Sequence, residues 1–136
     1  MHPYKNFKVG NLVKFEDKPV QIECISFADG RTDARLKYLK DNLWKPSFDI
    51  TIERIEPIKL NNKILKKWNF EIVDMNKYIC YQFPNDKSFY IIEKENAFQF
   101  CTRGNIRMIN VHELQNLFCL QTKYELPILD DRFSIR

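Results

Sequence analysis

Glycine is scarce in this chain, with three residues in 136. A phosphate-binding loop needs several glycines so that its backbone can approach the phosphates, so nucleotide hydrolysis of the usual kind is excluded. Histidine occurs twice, at His2 and His112, and neither adjoins Ser26, Ser47, Ser88 or Ser134. No nucleophile and base announce themselves together. The nearest carboxylate pairs, Asp130 with Asp131 and Asp29 with Asp33, fall near the chain end and in a turn, where solvation and turn chemistry account for them. No apolar run approaches the roughly 20 residues that span a bilayer. The start, Met1-His2-Pro3-Tyr4-Lys5-Asn6-Phe7-Lys8, lacks the apolar core of a signal peptide, so a soluble, cytoplasmic protein with no membrane partner is expected.

Cysteine spacing is equally uninformative of chemistry. Cys24, Cys80, Cys101 and Cys119 form no Cys-x-x-Cys pair and sit in apolar contexts, so reduced, buried thiols are expected rather than disulfides or a zinc site. No cofactor and no metal are expected. The net charge of +4 is evenly spread: residues 1–60 and 61–136 each hold eleven basic and nine acidic side chains. A dedicated nucleic-acid binder concentrates its positive charge, so this distribution weakens that reading.

What is abundant is apolar and aromatic surface. Eleven Phe, six Tyr and two Trp within 44% apolar residues specify an ordered chain with a real core. Residues 1–59 read as a small bent β unit. Val9 to Phe15 and Val20 to Phe27 alternate around a turn at Asp17-Lys18-Pro19, and Asp29-Gly30 is a strong hairpin signal. Arg35 to Leu39, Leu43-Trp44 and Ile50 to Ile55 supply three more strands, and short strands at this spacing suggest an SH3-like partial barrel. Leu60 to Phe70 then reads as a short linking helix: Asn61 caps it, Leu60 and Leu65 staple it, and Asn69 ends it in left-handed geometry.

Residues 60–136 continue as an antiparallel meander with one packed helix, making the whole an α+β fold. Strands are expected at Glu71 to Val73, Tyr78 to Phe83, Phe89 to Glu93, Phe98 to Thr102 and Ile106 to Ile109, with turns at 74–77, 84–87, 94–96 and 103–105. Asn110 caps the final helix, Glu113 closes a capping box, and Ile109 and Leu114 occupy staple positions. Val111, Leu114, Leu117 and Phe118 make its apolar stripe, which leaves His112, Glu113 and Asn116 on the solvent side. The zinc-protease pattern that His112-Glu113 suggests fails because Asn116 stands where the second histidine belongs. The tail from Pro127 is apolar enough to dock.

The meander alternates apolar residues on both faces, and one helix covers only one of them. The other is open to the N-terminal unit, a second copy of the chain or a partner protein. Tyr78, Tyr90, Arg103, Arg107 and His112 are the candidate binding residues, because they combine polar tips with the side of sheet and helix least committed to the core. Aromatic strands flanked by Lys77, Lys87, Arg103 and Arg107 also fit the composition of a single-strand stacking platform, but the RNA-recognition signature is absent.

Val9 to Phe15, Ile55 to Leu60, Ile64-Leu65 to Phe70, and Val111-His112-Glu113-Leu114-Gln115-Asn116-Leu117, in that order, resemble a family of small uncharacterised proteins from bacterial prophages and other mobile elements. Such proteins often carry Gly where Asn69 stands. The resemblance implies a phage-linked setting without an established activity, so no functional residue is carried over. The resulting expectation is a non-enzymatic binding protein acting on a bacterial host protein, including as an anti-CRISPR or similar inhibitor of host defence. A nucleic-acid-binding module is the alternative, and a nucleotide-derived small-molecule binder a weaker one.

Overall fold

The computed structural model describes residues 7–40, 43–75, 78–84, 86–100, 106–124 and 126. The chain divides into two compact units, one running to Ile58 and the next beginning at Lys59. Each holds one antiparallel sheet whose strands follow sequence order.

In the N-terminal unit, β1 (Leu12–Phe15), β2 (Lys18–Ala28), β3 (Arg31–Lys40) and β4 (Leu43–Thr51) form the sheet. Two-residue turns join the first three strands. Glu16 and Asp17 have φ of 50° and 63°, and Asp29 and Gly30 have 53° and 74°, the two positive angles of a type I′ turn. The first turn thus lies one residue earlier than Asp17-Lys18-Pro19, and Pro19 is a strand residue opposite Lys14. The two strands expected at Leu43-Trp44 and Ile50 to Ile55 are one strand, β4, followed by a 3-10 turn at Ile52–Arg54. Pro46 lies within β4, an edge strand of the sheet, which is where strands tolerate a residue without an N–H.

Bulges between Ile22 and Cys24 and between Arg35 and Lys37 bend the sheet. Beyond the 3-10 turn, Glu56 returns beside β1: its N–H donates to the Lys14 carbonyl and its carbonyl accepts the Lys14 N–H, both at 2.8 Å. The sheet therefore curls into a half-barrel around Val13, Val20, Ile22, Ala34, Leu36, Ile50 and Ile55. The first bulge also corrects the expected burial of Cys24. Alternation from Val20 and Ile22 would point it inward, but the extra residue turns Cys24 to solvent and brings Ile25 toward the core.

The C-terminal unit opens with α1 (Asn62–Lys67). Asn61 Oδ1 accepts the Ile64 N–H at 2.9 Å, and Leu60, Ile64, Leu65 and Trp68 are buried. Asn69 takes φ 65°, while the N–H groups of Asn69 and Phe70 donate to the carbonyls of Lys66 and Leu65. This is the Schellman closure, with an asparagine in the glycine position.

β5 (Glu71–Met75), β6 (Tyr78–Phe83), β7 (Asp86–Lys94), β8 (Ala97–Phe100) and β9 (Ile106–Met108) then form the expected meander. The backbone of Asp74 and Met75 extends β5, and the expected turns at 76–77 and 103–105 lie outside the described residues, as do Thr102 and Cys101. A third two-residue turn, Glu95-Asn96, has φ of 50° and 62°. The helix α2 (Val111–Thr122) packs on the sheet through Phe118, whose ring centroid lies 4.8 Å from Phe83 and 4.9 Å from Phe89. Phe70 completes the cluster edge-on to Phe83, Phe89 and Phe118. The Glu113 carboxylate accepts the N–H groups of Asn110 and Ile109, at 3.0 and 3.2 Å, as the capping box requires. Ile109, however, stays 44% exposed, so the outer half of the expected staple is solvated. Leu126 is buried, and the expected docking of the tail from Pro127 lies outside the described residues.

Among the described residues, no helix is long and apolar enough to cross a membrane.

Candidate functional site

The pairing register sorts the meander into two faces. Tyr81, Ile91 and Phe100 stand in one cross-strand row, on the α2 side with Phe89. Val73, Cys80, Ile92, Gln99 and Arg107 stand in the adjacent row, on the opposite side. Parity along β6 and β7 adds Tyr78, Tyr90 and Lys94 to that second, helix-free face.

Three of the five sequence candidates therefore share a face. Tyr78 is 40% exposed, with the Lys94 ammonium 5.7 Å from its ring centroid, a cation–π distance. Tyr90 is half-buried opposite Gln82, and Arg107 is exposed opposite Gln99. Arg103 lies outside the described residues. The aromatic platform does not assemble as a whole: Tyr81, Phe89, Phe98 and Phe100 are buried on the helix side. Lys77 lies outside the described residues.

His112 requires a correction. It is not on a solvent face but 1% exposed, and Gln115 is buried beside it in the same helix. The buried sector at the start of α2 is wider than its apolar stripe, so a polar residue next to Val111 is enclosed with it. Burial pushes the His112 pKa below its ordinary 6.5, with the Glu113 charge opposing the shift. Cys119, expected to be buried, is exposed farther along α2, beyond this enclosed sector. Tyr81 donates its hydroxyl to Glu93 at 2.9 Å, and burial, aided by that bond, pushes its pKa up to about 12.

At the β7–β8 hairpin lies a cleft of about 100 Å³ lined by Lys94, Glu95, Ala97, Phe98, Gln99 and Arg107, of which Lys94, Ala97, Gln99 and Arg107 belong to the helix-free face. Of these, Ala97 is buried and Gln99 half-buried. Neither Lys94 nor Arg107 has a carboxylate in ion-pair range among the described residues. Four cations of the N-terminal unit, by contrast, are paired: Lys14, Arg31, Arg35 and Arg54 reach Glu56, Asp33, Asp49 and Glu16 at 3.0 to 3.7 Å. Sequence reading missed Lys94 and Gln99. The turn signal Lys94-Glu95-Asn96 was readable, but only the β8–β9 register carries Arg107 to the same hairpin.

Among the described residues, no three His, Cys, Asp or Glu side chains gather to hold a metal. The chain is thus a two-unit antiparallel β protein with few helices and a mixed aromatic and cationic sheet face. Comparison with protein-family models, curated proteins and solved structures finds no match.

Proposed function

We propose that this chain is a non-enzymatic binding protein that engages a bacterial protein through the helix-free face of its C-terminal sheet. The observation that carries the reading is the convergence of Tyr78, Tyr90 and Arg107 on that face. Tyrosine and arginine combine large contact area with directional polar groups, and they dominate the energetics of protein interfaces. In this reading the N-terminal half-barrel is an SH3-like scaffold and the protein a phage or mobile-element accessory factor, the setting implied by its resemblance to prophage proteins. Binding without catalysis suits an inhibitor of host defence, of which an anti-CRISPR protein is one form.

The test is capture from bacterial lysate with the whole chain, paired with sizing chromatography. A stoichiometric protein partner is expected with wild type, and Tyr78→Ala and Arg107→Ala should lose it while melting as wild type does. No partner and a monomer on sizing would sink the proposal. The cations at the β7–β8 hairpin favour a second reading, binding of single-stranded nucleic acid. Its affinity would fall steeply with added salt as phosphate contacts release counterions.

A further inference from the structure

We infer that the β7–β8 hairpin cleft is a receptor for a side-chain carboxylate presented by an acidic protein segment. The inference rests on the protein-binding reading above and assigns the chemistry that the partner presents. Lys94 and Arg107 line the cleft from β7 and β9, and neither is neutralised by a carboxylate in ion-pair range among the described residues. A guanidinium offers paired, coplanar N–H donors that match the two oxygens of a carboxylate, and a nearby ammonium adds a point charge. The contact of Lys94 with the Tyr78 ring restrains that ammonium on the same face of the sheet. The volume of about 100 Å³ admits one such group and is well below the roughly 300 Å³ at which small-molecule sites begin. The occupant is therefore one group of a larger partner.

Glu95 lines the same cleft. A peptide is favoured over a phosphodiester chain because the surrounding face carries Tyr78, Tyr90 and Arg107, residue types that dominate protein interfaces.

The probes are a hexaglutamate peptide with acetyl and amide ends, inorganic phosphate and an oligothymidylate, each titrated into the whole chain and followed by amide NMR shifts. The peptide should move residues 94–99 and 107. Lys94→Ala with Arg107→Ala should weaken it roughly tenfold or more, and Arg107→Lys should restore only part, because the charge returns without the paired donors. All variants should retain the wild-type melting temperature. Absent shifts at the cleft, or oligothymidylate binding there more tightly than the peptide, would overturn the inference. The two readings fail separately: a lysate partner lost by Tyr78→Ala and Arg107→Ala but held by Lys94→Ala as by wild type removes the cleft alone, whereas cleft binding of peptide without any lysate partner removes the proposed function alone.

Discussion

His112 shows how a polar side chain becomes a stability determinant. Its folded pKa lies below 6.5 because burial disfavours the charged form, so the unfolded chain binds the proton more readily. The stability linked to neutral His112 is complete above pH 6.5 and is lost as pH falls from there through the lowered folded value. Urea unfolding between pH 8 and 5 should therefore lose stability below 6.5 in wild type and lose less in His112→Gln. Equal slopes would mean that folding leaves the proton affinity of the histidine unchanged. Tyr81 offers a second test at this scale. Tyr81→Phe removes the bond to half-buried Glu93 and should cost about 1 to 2 kcal/mol by urea unfolding at neutral pH. Neither burial was legible in the sequence. Position 112 adjoins the apolar stripe of α2 without belonging to it, and how far enclosure reaches around a helix is decided by what packs there, not by periodicity.

Elements were more legible, because caps and turns are local. Asn61, Asn69 and Glu113 were readable from spacings of a few residues, and each makes the backbone bonds or geometry expected of it. Asn61→Ala should destabilise the C-terminal unit by about 1 kcal/mol. Asn69→Ala should cost about 1 to 2 kcal/mol, since alanine bears the full penalty of a φ near 65°. An undiminished urea midpoint in either variant would contradict these assignments. Strand continuity was less legible. The separate apolar runs Leu43-Trp44 and Ile50 to Ile55 suggested two strands where one continuous strand stands, and the bulge at Cys24 reversed the inward and outward alternation of β2. Cross-strand register creates both features, and it is absent from any single segment. The candidate face has the same history: Tyr78, Tyr90 and Arg107 could be named singly, but the pairing of β6 through β9 placed them together and added Lys94 and Gln99.

At the scale of the whole molecule, two compact units predict two patterns of protection. Phe118→Ala removes the ring that meets Phe70, Phe83 and Phe89 and should cost about 3 to 5 kcal/mol. Native-state hydrogen exchange should record that loss first in β6 to β8, while β2 and β3 of the half-barrel keep more of their protection. Uniform loss across both sheets would mean that the units open together.

The strand order has a kinetic consequence. In both sheets every strand is hydrogen-bonded to its neighbour in sequence, and among the described residues three of the connections are two-residue turns with both φ positive. Little loop entropy opposes such pairings, so hairpins can form as the chain emerges during synthesis, before later strands exist. The exception in the N-terminal unit is the return of Glu56 to Lys14, which spans almost the whole unit. The half-barrel should therefore assemble as a meander and close last, with its rim as the late step of folding.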